Sequence, residues 1–175
     1  CLIDEWIRKN SNKNFDENGL IGKSGKVDDL IFNQAVDNFS NLSLEKSLDV
    51  KDFDISFAKG LSLEDGCVTI TKFTAYLIAE GLNKIYEEKI NSKRIYILCG
   101  GGRKNNFLVE NIKHFLLNQN VELKNIDDFK LNGDFIESQA FAYLAIRSYL
   151  KLPISFPDTT RCKFPISGGV INKNF

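Results

Sequence analysis

The chain has no methionine, one histidine, one tryptophan and three prolines among 175 residues. The four cysteines, at positions 1, 67, 99 and 162, form no CxxC pair. With a single histidine beside them, a metal site has no spacing signal, and none is assigned. An excess of charge of either sign is also missing, since 23 Lys+Arg face 23 Asp+Glu. Such a balance exerts no global pull on nucleic acid or on an anionic membrane, so neither is expected as a partner. No apolar run approaches the roughly 20 residues of a spanning helix. The cysteines read as reduced, mostly buried thiols of a cytoplasmic protein. The missing Met has a further reading. Cys1-Leu2-Ile3-Asp4-Glu5-Trp6-Ile7 has the spacing of a helix interior with no cap before it. The expectation is the C-terminal part of a longer protein.

What is present is ordinary globular composition, 43% hydrophobic and 26% charged, enough for one domain or a piece of one. Leu2–Arg8 has helical spacing, and residues 10 to 26 read as an irregular loop. Val27–Phe39 is helical, with Val27, Leu30, Ile31, Ala35 and Phe39 on one side. Residues 40 to 61 are weakly patterned. Ser62 is an N-cap candidate for a long helix from Leu63 to about Lys89, whose first third is weakened by Gly66 and a Val-Thr-Ile-Thr run.

Arg94–Cys99 is the best strand, apolar enough to be covered on both faces of an α/β sheet. Gly100-Gly101-Gly102 follows, then a helix capped by Asn105 and running to about Asn118. A short strand, Val121–Leu123, comes next. A third helix, from Asp134 to about Lys151, turns Ala140, Phe141, Leu144, Ala145 and Ser148 inward. The tail reads as coil. The strand–helix–strand–helix order is an α/β signature. Two strands are few for a stable sheet, which again points to strands supplied from upstream.

Gly19-Leu20-Ile21-Gly22-Lys23-Ser24 fails as a P-loop, because Glu17 stands where its first glycine belongs and no buried strand precedes it. The glycines at 100 to 102 carry more. Between an apolar strand and a capped helix they let a phosphate or nucleotide approach the backbone, or they make a tight structural turn. The dinucleotide fingerprint needs a third glycine where Asn105 stands, which argues against NAD. Arg103 and Lys104 either add charge to a phosphate site or are solvated. His114, alone on its helix, reads as structural. In Asn132-Gly133-Asp134-Phe135-Ile136-Glu137, Asp134 and Glu137 have capping-box spacing. The other reading puts Glu137 at a helix mouth, accepting hydrogen bonds from sugar hydroxyls. The loops after both strands meet at the carboxyl edge of a parallel sheet, where α/β ligands bind, so this turn and the glycine turn are expected to border one site.

These motifs are recognisable together. Cys99-Gly100-Gly101-Gly102-Arg103-Lys104-Asn105, then Gly133-Asp134-Phe135-Ile136-Glu137-Ser138-Gln139-Ala140-Phe141-Ala142-Tyr143-Leu144-Ala145, resembles the anhydro-N-acetylmuramic acid kinase family. Leu2-Ile3-Asp4-Glu5-Trp6, Ser24-Gly25-Lys26-Val27 and Gly168-Gly169-Val170-Ile171 fit as well, so the likeness covers essentially the whole chain. The chain departs at Leu44-Glu45-Lys46-Ser47-Leu48-Asp49, where the family has a P-x-K-S-T-G-like stretch, and at Ser138, where it has Ala.

The resemblance implies the two-lobed ribonuclease H-like, actin-like sugar-kinase fold. This chain would be the C-terminal lobe portion, helix-rich and missing its first strands: a mainly helical segment (1–90), a βαβα cleft segment (91–152) and a C-terminal coil (153–175). It implies a cytoplasmic bacterial enzyme of peptidoglycan recycling. That enzyme uses ATP and Mg²⁺ to open the 1,6-anhydro ring of its amino sugar with water and to phosphorylate O6. Gly100, Gly101, Gly102 and Asn105 match its nucleotide-side residues, and Glu137 its sugar-contacting glutamate. Asp4 matches an aspartate read as structural. The family's general-base aspartate matches a position before Cys1, so no catalytic residue is assigned here, and the chain alone is expected to be inactive. Homodimers are common in the family. The alternative is a non-catalytic nucleotide- or sugar-binding module completed by a partner chain, such as a separate N-terminal half.

Overall fold

The computed structural model describes residues 1–40, 52–87, 93–116, 121–170 and 172. Residues 44–49, where the chain departs from the family pattern, lie outside them. The chain forms two compact units, Cys1–Asn125 and Ile126–Phe175. The helices of the first are α1 (Leu2–Asn10), α2 (Leu20–Ser24), α3 (Asp29–Ser40), α4 (Leu63–Glu87) and α5 (Asn106–Phe115). Its strands are β1 (Arg94–Leu98) and β2 (Val121–Asn125). The second unit holds α6 (Ile136–Tyr149) and α7 (Pro157–Thr160).

The centre of the first unit is α4, the helix whose start looked weakest. Ser62 caps it, its hydroxyl accepting from the Asp65 N–H at 3.0 Å. The Cys-Val-Thr-Ile-Thr stretch is buried on every side, which tertiary packing allows whatever the local propensity. Its hydroxyls are partly satisfied within the helix, Thr69 donating to the Asp65 carbonyl at 2.7 Å. Around it lie Leu2, Ile3, Trp6 and Ile7 of α1, Phe32, Ala35 and Phe39 of α3, and Leu108 and Ile112 of α5. Phe32, Tyr76 and Phe115 join α3, α4 and α5, with ring centroids 5.6–6.2 Å apart.

Two expectations change here. The inward stripe of α3 is Phe32, Ala35 and Phe39, while Leu30 is 80% exposed. Ala35 and Phe39 lie inward as read, Val27 packs partly buried against the core, and Phe32 takes the inward place expected of Leu30. The loop at 10 to 26 also contains regular structure, a 3₁₀ turn at Glu17–Gly19 leading into α2.

β1 and β2 pair in parallel, Arg94 opposite Val121 and Leu98 opposite Asn125, with α5 as the crossover. The sheet has two strands among the described residues. β1 is not covered on both faces: Ile95 and Ile97 are 49% and 47% exposed, because nothing among the described residues lies over that face. Of the four free cysteines only Cys67 is buried, so the expectation of mostly buried thiols fails.

In the second unit α6 has no buried residue. Phe141, expected inward, is 65% exposed, and Ala140 and Ala145 are exposed too. A unit of this size has too little chain to enclose a core of its own. Beyond α6 the tail is not wholly coil, since it contains α7 and a bridge between Ser155 and Ile166. No helix among the described residues is long and apolar enough to cross a membrane.

Candidate functional site

β1 delivers the chain to Gly100, whose φ of +76° and ψ of 178° fall in a region open essentially to glycine alone. Gly101–Lys104 then make one 3₁₀ turn, and Asn105 caps α5. An added Cβ at Gly100 or Gly101 would meet nothing within 4 Å, and at Gly102 only the Leu108 side chain at 3.7 Å. The outer side of the turn is therefore open, so a phosphate or a nucleotide ring can approach the backbone. The Asn105 side chain accepts from the Leu108 N–H at 2.9 Å, as the sequence reading had it. Leu108 and Ile112 anchor the helix in the core, so the cap sits on a rigid element.

Arg103 is neither a solvated loop residue nor a free cation on the open side. It is buried, and its guanidinium donates to the Gly100 carbonyl at 2.8 Å. The bond closes the turn from within and holds Gly100 in its unusual conformation. Lys104 is exposed. His114 is exposed and stands edge-on to Phe115, with centroids 5.5 Å apart, consistent with a surface role.

In the second unit, Glu137 lies exposed in the first turn of α6. The expected capping box is absent. Phe135 occupies the cap position and no side chain bonds the helix end, because the preceding turn uses its polar groups internally. Asn132 accepts from the Asp134 N–H at 3.0 Å, and the Asp127 carboxylate from the buried Gly133 N–H at 3.0 Å.

A perturbed group lies elsewhere, at Cys67. Burial, then the Asp16 carboxylate beside it, pushes its thiol well above the ordinary range. Lys93, bonded at 3.1 Å, holds Glu122 below the usual carboxylate range at the sheet surface. Among the described residues no three His, Cys, Asp or Glu side chains converge as a metal site.

Residues 1–174 match the family model described as anhydro-N-acetylmuramic acid kinase. The chain belongs to this family. It is 53% identical over 177 residues to the anhydro-N-acetylmuramic acid kinase of Pelagibacter ubique, covering 100% of this chain and 47% of that protein. It is 39% identical over 172 residues to that of Zymomonas mobilis, covering 98% and 45%. The Methylorubrum extorquens kinase is 36% identical over 172 residues, covering 98% and 44%. The chain thus spans about half the length of the curated relatives it matches. The matched span, residues 1–174, contains the glycine turn with Asn105 and the segment carrying Glu137.

Proposed function

We propose that this chain forms the C-terminal portion of an ATP-dependent sugar kinase with the two-lobed sugar-kinase fold. The reaction opens the 1,6-anhydro ring of anhydro-N-acetylmuramic acid with water and phosphorylates O6. The observation that carries this reading is the family match over residues 1–174, which includes an open glycine turn on a rigid strand–helix junction.

In this reading the backbone of Gly100, Gly101 and Gly102 borders the nucleotide, and the start of α5 adds its unpaired amides and positive dipole end. Asn105 fixes that helix start. The Glu137 carboxylate accepts hydrogen bonds from sugar hydroxyls. Water attacks the anomeric carbon, and O6, released as the ring opens, takes the γ-phosphoryl group. None of the residues here is assigned the proton abstraction from that water. Phosphoryl transfer depends on positioning and charge stabilisation, so the chain alone should be inert. ATP, Mg²⁺ and an amino sugar are the small molecules this reading requires, in a cytoplasmic setting, with a homodimer as its assembly.

A chimera tests it, in which this chain replaces the matching 177 residues of the Pelagibacter ubique relative. The chimera is expected to convert ATP and the anhydro sugar to a 6-phosphate, and the 175-residue chain to convert neither. Turnover by the chain alone, or none by a folded chimera, overturns the reading. The second reading is a non-catalytic binding module completed by a partner chain. Both readings expect the chain to bind its small molecule, and they differ in the chimera, which the second reading expects to show no turnover.

A further inference from the structure

The segment that imitates a P-loop has another use. Asp16 is buried, and both oxygens of its carboxylate are engaged. Oδ1 accepts from the Ile21 N–H at 2.8 Å and Oδ2 from the Gly22 N–H at 3.0 Å. The thiol of fully buried Cys67, on α4, donates to Oδ2 at 3.4 Å. The Asp16 carbonyl accepts from the Gly19 N–H at 3.3 Å. A buried carboxylate is tolerated only when its lone pairs are used in this way. One side chain thus closes the turn from Asp16 to Gly22 and ties it to the central helix.

The turn so fixed has Asn18 and Gly19 both left-handed, at φ +55° and +75°. It places Gly19 directly against the start of α5. A Cβ at Gly19 would collide with the Asn105 side-chain oxygen and with the Phe107 Cβ. That same Asn105 oxygen accepts from the Leu108 N–H. The Asn105 side chain is therefore held between its own helix and a backbone 86 positions earlier in the chain. Neither contact involves the open side of the glycine turn.

We propose that Asp16 and Gly19 are positioning residues that set the place of Asn105, and through it the approach of the nucleotide to the glycine turn. The nucleotide half rests on the reading given under Proposed function. Asp16 touches no reacting atom. Its role is to keep Gly19 where Asn105 has one place to sit.

The test uses the full chain with three substitutions. Gly19→Ala adds strain and a collision with Asn105. Asp16→Asn adds no heavy atom but puts an NH₂ where one carboxylate oxygen accepts a backbone N–H. Gly60→Ala is the control, because Gly60 has a φ of +97° with nothing within 4 Å of an added Cβ, so it carries strain without contact. Two readouts are taken at matched thermal stability: hydrogen exchange of the Leu108 amide by NMR, and Mg-ATP affinity by titration.

Gly19→Ala and Asp16→Asn are expected to speed Leu108 exchange about tenfold relative to Gly60→Ala, the size of a lost cap. They are expected to weaken Mg-ATP binding by a similar factor. Leu108 exchange no faster than in the control overturns the proposal, as does faster exchange with ATP affinity intact. A wild-type chain that binds no ATP while the two substitutions release Leu108 removes the nucleotide reading and upholds the brace. Should Gly19→Ala fail to fold, Asp16→Asn carries the same comparison.

Discussion

The indole of Trp6 packs directly over Gly66, and its ring nitrogen donates to the Leu63 carbonyl at 2.9 Å. This contact joins α1 to the first turns of α4 and explains a glycine inside a long helix. A Cβ at Gly66 would sit inside the Trp6 ring. Helix propensity favours Ala over Gly by about 1 kcal/mol, but overpacking a core costs about 1–3 kcal/mol. Gly66→Ala is therefore expected to lower the melting temperature. Gly81→Ala, in the same helix with nothing within 4 Å, is expected to raise it. Thermal denaturation of both variants checks the pair, and the same sign for both contradicts the packing argument.

Cys67 gives a pH dependence whose sign follows from its surroundings. An unfolded thiol ionises near pH 8.5, by the usual figure of about 8.5. In the folded chain burial and the Asp16 carboxylate hold it protonated well above that. Below the unfolded value both states keep the proton, and the site adds no slope. Above it the unfolded state releases its proton first, so stability falls as pH rises, by up to about 1.4 kcal/mol per pH unit. The melting temperature of Cys67→Ala should fall less steeply between pH 8 and 10 than that of the wild type. A thiol reagent should label exposed Cys1 and Cys99 quickly, and Cys67 only on unfolding.

Under the proposed function Asn105 serves as a helix cap and lies near the nucleotide, and the two roles can be separated. Asn105→Ala removes the acceptor for the Leu108 N–H and should cost about 1 kcal/mol. Asn105→Asp keeps a good cap, so stability should hold within a few tenths of a kcal/mol, yet it sets a negative charge beside phosphate. Calorimetric titration with Mg-ATP should show weaker binding for Asp despite its intact melting temperature.

Arg103 is expected to behave as a structural clamp. Arg103→Ala removes its charged hydrogen bond to the Gly100 carbonyl, worth about 1.5–3 kcal/mol. Chemical denaturation should therefore show the loss without any nucleotide present. An unchanged denaturation midpoint, with only ATP affinity reduced, would assign Arg103 to the phosphate instead.

Glu137 is exposed and takes no part in capping α6, so Glu137→Gln should leave the melting temperature unchanged. In the chimera it should raise KM for the anhydro sugar, leaving KM for ATP in place. An equal rise for both substrates contradicts the sugar assignment.

Much of the scaffold was legible because its signals are local. The strand beginning at Arg94, the Ser62 and Asn105 caps and the turn at Gly100 declare themselves within a few residues, and each is present in the fold. The role of Asp16 was not legible. Its partners are amides five and six positions on and a thiol 51 positions on, a pattern with no periodicity. The five residues of α2 are too few to show a helical repeat. Exposure was misread at Ile95, Ile97 and Phe141 because an apolar side chain states a preference for burial without saying what covers it. At the glycine turn, residue types marked an approachable backbone. They did not show that Arg103 faces inward, since a basic residue after glycines reads alike in both settings.

The most direct measurement is a titration of the isotope-labelled chain with Mg-ATP, followed through its backbone amide resonances. The account expects saturable shifts centred on Gly100 to Asn105, with the amides of α1 and α3 unmoved. Shifts confined to other segments, or none at millimolar nucleotide, would contradict it.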